Sequence, residues 1–90
     1  FISQQAANWL VQKKISSVAV DFSIDNPDQS GLPLKEKFPI HRTFLGSGIF
    51  HIENVCNLEK IDKREFILVA LPLKLFKCNG APARVVALLE

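Results

Sequence analysis

Several features that would define common protein classes are missing from this sequence. Its 90 residues include no Met, no Tyr and only four Gly. With 48% hydrophobic and 22% charged residues, the chain is too apolar for disorder and too interrupted by charge for a membrane span. Eleven Lys and Arg against nine Asp and Glu give a net charge of +2 with no basic stripe. We therefore expect neither nucleic acid nor a membrane as a partner.

The standard catalytic and ligand-binding signatures are also absent. There is no Gly-x-Ser-x-Gly elbow, no phosphate-binding glycine loop and no His-Glu-x-x-His motif. The glycine-rich string LGSG at residues 45–48 is expected to end a helix. Cys56 and Cys78 have no Cys or His neighbour at zinc-finger spacing, so we expect two buried or half-buried thiols in preference to a disulfide. Two cysteines do not indicate a cellular compartment.

The order of hydrophobic and polar residues predicts a mixed α/β fold with a buried sheet. Because the chain begins at Phe1 without a Met, we expect residues 1–90 to be a single domain or part of a longer one. The first predicted elements are a helix over 4–14 capped by Ser3, a strand over 15–23 and a long loop over 24–37. A short helix after Pro39, ended by Gly46 and Gly48, and a strand over 50–53 follow. The remaining elements are a brief helix or turn that contains Leu58 and Ile61, a strand over 64–76 interrupted at Pro72, and a strand over 83–89.

Six polar residues beside apolar strands are candidates for chemistry. His41 begins the short helix and Glu53 follows 12 positions later, so a helix-turn-strand could bring both to one point. Imidazole and carboxylate together suit Zn or Mn. From spacing alone, two solvated surface groups are the more common outcome. The full set of candidates is Asp21, Ser23, Asp25, His41, His51 and Glu53.

His51 and the two aspartates have several interpretations. His51 shares a strand face with Glu53, so a further ligand, a substrate contact and an exposed strand residue all remain open. We expect a surface or pocket-rim residue, set back from Glu53 by roughly 6–7 Å, and not a metal ligand. Asp21 and Asp25 flank Ser23, and we expect side-chain to backbone bonds that shape a loop in preference to a catalytic pair.

The segments FPIHRTFLGSGIFHIENVCNLEKI and FILVALPLKLFKCNGAPARVVALL resemble the C-terminal part of the metal-dependent cyclase family, which includes kynurenine formamidase and isatin hydrolase. The helix AANWLVQKK and the strand SVAVD are also similar to that family. The motif residues are His41, Phe44, Leu45, Gly48, Ile49, Glu53, Asn54, Asn57, Leu58, Leu71 to Lys74, Gly80, Pro82 and Arg84.

This resemblance implies a swivelling β/β/α fold, a barrel-like mixed sheet with flanking helices, of which the chain would be the C-terminal portion. It implies hydrolysis of an amide, lactam or related carbonyl bond by metal-activated water. His41 and Glu53 match the family's two C-terminal ligands of a divalent metal, Zn or Mn. Asp21, Ser23, Asp25 and His51 would line a substrate loop or pocket rim.

The chain also departs from the family pattern. The family's other ligands and its catalytic His come from a His-x-x-x-His-x-Asp-x-Pro-x-His segment that is not present here. We therefore expect the general acid or base upstream, a small-molecule substrate, and a homo-oligomer or association with the missing N-terminal part. The alternative is a catalytically silent, cyclase-like binding or interaction module.

Overall fold

The first helix, α1 (Gln4–Gln12), begins where the sequence predicts. The computed structural model describes residues 1–89, and in it the Ser3 hydroxyl oxygen accepts a hydrogen bond from the Ala6 N–H at 3.1 Å. Ser3 is therefore the helix N-cap. The helix ends two residues before the predicted position, because Lys14 adopts a left-handed backbone with φ of 56°.

The chain divides into two compact units, Phe1–Cys56 and Asn57–Glu90, and each is described by itself. Helices and strands in the described residues confirm the mixed α/β class. None of the described helices is long and apolar enough to cross a membrane.

The first unit contains a short parallel sheet. Strands β1 (Ser17–Ala19) and β2 (Phe50–Ile52) pair in parallel, with Val18 opposite His51. The strand predicted over 15–23 is shorter than expected, although the Val20 N–H still donates to the Ile52 carbonyl oxygen at 2.9 Å. Because the strands are parallel, the segments that follow them leave the sheet at the same edge. Residues after β1 and after β2 therefore lie close together.

Helix α2 (Pro39–Gly46) lies between these two strands in the sequence and ends in a Schellman motif. The Ile49 N–H donates to the Phe44 carbonyl oxygen at 2.8 Å, and the Gly48 N–H donates to the Leu45 carbonyl oxygen at 3.1 Å. Gly48 has a φ of 73°, which a residue with a Cβ adopts only with strain. The sequence prediction of a glycine helix stop is confirmed at this position.

The first unit has a small apolar core. Phe44 and Ile24 are its largest fully buried side chains. Ile24 belongs to the segment predicted as a long loop, which contains a 3-10 turn at Leu34–Glu36. The start of this loop is therefore held in the core. The buried hydrophobic residues are Ala7, Ile24, Ile40, Phe44 and Ile49.

The second unit contains an antiparallel hairpin. Strand β3 (Ile67–Pro72) pairs with β4 (Ala83–Leu88), and β3 ends at the predicted interruption, Pro72. The turn expected around Leu58 and Ile61 is a 3-10 turn at Leu58–Lys60. The expectation of a buried sheet is wrong for this hairpin, because apolar side chains on both strands are exposed and none of its described residues is fully buried.

The two cysteines also differ from expectation. Cys56 and Cys78 are thiols, as predicted, but both are exposed. They lie outside the apolar core, in segments that follow β2 and β3. The prediction of buried or half-buried thiols is therefore wrong in its burial.

Candidate metal centre

Five of the six polar residues predicted as candidates meet at the edge where β1 and β2 end. Ser23 and Asp25 follow β1, His51 lies within β2, and Glu53 comes directly after β2. His41 lies in the first turn of α2. All of these residues belong to the first unit. The sixth candidate, Asp21, is exposed and lies outside this cluster.

Asp25 connects the loop after β1 to the beginning of α2. Its carboxylate is 3% exposed and accepts hydrogen bonds from the Ile40 N–H at 3.0 Å and from the His41 N–H at 2.9 Å. The residue before the helix, Phe38, makes no side-chain cap. Asp25 therefore caps α2 from a distant position, and its negative charge suits the helix N-terminus. The expected side-chain to backbone bonds are found here.

Asp25 also fixes the orientation of the His41 ring. Its Oδ2 lies 2.7 Å from the ring atom Nδ1. Burial raises the pKa of Asp25, but the hydrogen bonds from the His41 ring and the two backbone N–H groups lower that pKa more, and it lies below its usual value. The aspartate is thus a carboxylate with no proton to donate, so Nδ1 carries the hydrogen. The lone pair of His41 Nε2 is left available for a ligand.

Glu53 is held in a similar way through one of its two oxygens. Its Oε1 accepts a hydrogen bond from the Ile24 N–H at 2.7 Å and a longer one from the Ser23 hydroxyl at 3.4 Å. Its Oε2 lies 3.7 Å from His41 Nε2. The segment 23–25 thus binds the rear atoms of both side chains and directs their remaining ligand atoms toward each other.

The His51 side chain lies beside this pair. Its ring packs edge-on against the His41 ring, with centroids 4.4 Å apart and planes at 79°. One ligand atom from each of His41, His51 and Glu53 lies within 4.8 Å of the others. The ring therefore lies next to the His41 and Glu53 ligand atoms, although the His51 backbone is two positions before Glu53 on the strand.

The environment of His51 favours its neutral form. Burial lowers the pKa of His51 and the adjacent His41 lowers it further, and together they outweigh the raising effect of the Glu53 and Asp25 carboxylates. Its Nδ1 is buried and has no hydrogen-bond partner among residues 1–89. Neutral imidazole is the form that binds metal ions.

The donor set fits a divalent metal ion. Two ligand atoms bound at ~2.0–2.2 Å to one tetrahedral zinc ion lie ~3.3–3.6 Å apart. The separation of 3.7 Å between His41 Nε2 and Glu53 Oε2 is close to this range. A hydrogen-bonded carboxylate behind a ligating histidine is the usual support for such a ligand. These residues therefore define a candidate metal centre on a mixed α/β fold.

Sequence reasoning included His41, Glu53 and Asp25 among the candidates but missed that Asp25 caps α2 and orients the His41 ring. The signal that could have found it is the segment Phe38-Pro39 at the start of α2. Pro39 begins the helix, yet position 38 carries none of the residues that cap a helix with their own side chain. A helix without a local cap indicates an acceptor from elsewhere in the chain.

Comparisons with known proteins agree with this class of site. No protein-family model matches the chain. It is 30% identical to isatin hydrolase from Roseibium aggregatum over 83 residues, which are 92% of this chain and 31% of that enzyme. It is also similar to the solved structure of a potential metal-dependent hydrolase with cyclase activity, with a TM-score of 0.82 and 31% identity over 100% of this chain and 41% of the other. These similarities confirm the resemblance to the metal-dependent cyclase family. The chain spans about a third of the length of the curated relative.

Proposed function

We propose that this chain supplies His41 and Glu53 to the divalent metal centre of a hydrolase that acts on an amide, lactam or related carbonyl bond. The observation that carries the proposal is that a hydrogen bond on the far side of each of the two ligands holds it in place. Asp25 holds the rear nitrogen of His41, and the Ile24 N–H holds the rear oxygen of Glu53. Only Nε2 and Oε2, 3.7 Å apart, are left facing each other.

His41 and Glu53 would hold a divalent ion, Zn or Mn, which when bound would supply a water molecule of lowered pKa and a Lewis acid for the carbonyl group of the substrate. The residues of this chain would bind the ion and orient its ligands. Asp25 keeps the hydrogen of His41 on Nδ1, and the Ser23 hydroxyl and Ile24 N–H keep Glu53 in one rotamer. The general acid or base comes from a segment upstream of these residues.

The complete protein of this proposal has a larger fold than the described residues. Residues 1–90 would form the C-terminal part of a cyclase-like domain, with a barrel-like mixed sheet of the swivelling β/β/α type. The rest of the metal site would come from the missing N-terminal part or from a second copy in a homo-oligomer. The substrate is a small molecule, and neither nucleic acid nor a membrane is a partner.

A catalytically silent binding module is the alternative. It rests on the number of ligands that the proposal takes from the described residues, namely two, His41 and Glu53. Catalytic zinc sites normally use three protein ligands, and a site with fewer would bind its ion weakly. A silent relative would bind a ligand without hydrolysing it.

Metal content and hydrolysis of the full-length protein test the proposal. We expect His41→Ala and Glu53→Ala each to lose bound metal and to lose hydrolysis of an aryl formamide or lactam substrate. Glu36→Ala is the matched control, since it removes an exposed carboxylate in the 3-10 turn before α2. Unchanged metal content and unchanged hydrolysis in both site variants would contradict the proposal. Metal bound without any hydrolysis in the unaltered protein would favour the silent alternative.

A further inference from the structure

We propose that His51 is a third protein ligand, so that this chain contributes a His₂Glu set of donors together with His41 and Glu53. This inference rests on the metal centre of the proposed function and adds a ligand to it. It reverses the expectation from the sequence that His51 lies at the pocket rim.

The position of the His51 ring is the first support. A ring nitrogen of His51 lies within 4.8 Å of ligand atoms of both His41 and Glu53. His51 and Glu53 are two residues apart across the end of β2, where alternate side chains share a face. The edge-on packing of the two imidazole rings, with centroids 4.4 Å apart, brings the His51 ring beside the His41 ligand.

The hydrogen bonding of His51 is the second support. His41 and Glu53 each have one atom engaged by the loop after β1, whereas Nδ1 of His51 is buried without a partner among the described residues. A buried nitrogen without a hydrogen-bond partner destabilises the folded state. An ion bound to this nitrogen would remove the deficit.

The chemistry of the resulting set is the third support. Two protein ligands hold a catalytic metal poorly, whereas three ligands of the His₂Glu type form an established zinc site with a fourth position open for water or substrate. With His51 included, residues 41–53 provide all three donors from one helix and the following strand.

X-ray absorption spectroscopy of the 90-residue chain with Zn²⁺ at one ion per monomer tests this inference directly. The sequence contains only two His, so the number of imidazoles around zinc reports whether both bind. We expect two imidazoles per zinc, falling to one in His51→Gln. We also expect zinc affinity, measured by competition with a chelator, to fall at least ~10-fold in His51→Gln. The exposed Lys35→Gln variant is the control and should match the unaltered chain.

The outcomes separate this inference from the proposed function. One imidazole per zinc in the unaltered chain, unchanged affinity in His51→Gln, or no zinc binding by the 90-residue chain overturns the third ligand. If His41→Ala and Glu53→Ala still remove metal from the full-length protein, the proposed function survives that result. Sulfur at ~2.3 Å from zinc would instead show binding by Cys56 or Cys78 and would also overturn the inference.

Discussion

Replacing Asp25 with Asn is the perturbation that best probes how this site is built. Three donors converge on the buried carboxylate, namely the Ile40 N–H, the His41 N–H and His41 Nδ1. Asn has the same size but offers one oxygen and one NH₂ group. Whichever way the amide is turned, at least one of the three donors faces another donor.

The expected loss of stability follows from these contacts. Weakening a helix N-cap costs ~1 kcal/mol, and a buried donor left without an acceptor costs a further ~1–3 kcal/mol. Since such contributions overlap, we expect a total of about 2–3 kcal/mol for Asp25→Asn. In a domain of this size that corresponds to a fall in Tm of roughly 10–20 °C.

Hydrogen exchange gives a local measurement of the same effect. The Ile40 and His41 amides should exchange about 30–150-fold faster in Asp25→Asn, which is the same free energy expressed as a ratio. Asp28→Asn is the matched control, because the Asp28 carboxylate lies in the exposed part of the same loop and bonds to Ser30. If Asp25→Asn is no more destabilising than Asp28→Asn, Asp25 neither caps α2 nor holds His41 to a significant extent.

Three further predictions follow from burial and charge. Phe44→Ala should destabilise the first unit by ~3–5 kcal/mol in urea titration, since Phe44 is fully buried in its core; a loss below ~1 kcal/mol would contradict this. Because the pKa of Asp25 is lower in the folded chain, its contribution should be complete above pH ~4 and disappear as the pH falls through the folded pKa, whereas a flat acid titration would refute it. The 90-residue chain should bind a hydrophobic dye or associate through its exposed apolar hairpin, and a sharp, concentration-independent melt of a monomer above ~65 °C would disprove this.

Local sequence signals were sufficient for most of the elements. Ser3 and Gly48 act through bonds to neighbours three to five residues away, so their patterns could be interpreted without the fold. The same is true of the loop predicted over 24–37 and of the interruption at Pro72. Only the lengths of the elements differ from those predicted, because tertiary hydrogen bonds and backbone turns decide where each element ends.

The arrangement of the site depended on longer-range contacts. Asp25 and His41 are 16 positions apart, and the Ile24 N–H meets Glu53 across 29 positions. These contacts exist because β1 and β2 are parallel, and the sequence contains no direct signal for that pairing. For His51 the sequence supplied only the backbone spacing of a strand, which does not predict that its ring packs against the adjacent His41.

The most direct test of the metal centre is diffraction from crystals grown with Zn²⁺ or Mn²⁺, recorded above and below the absorption edge of the metal. The account predicts an anomalous peak within ~2.0–2.2 Å of His41 Nε2 and Glu53 Oε2 for zinc, with Asp25 still bonded to His41 Nδ1. A peak elsewhere, or a His41 ring turned away from Glu53 in the metal-loaded protein, would contradict it.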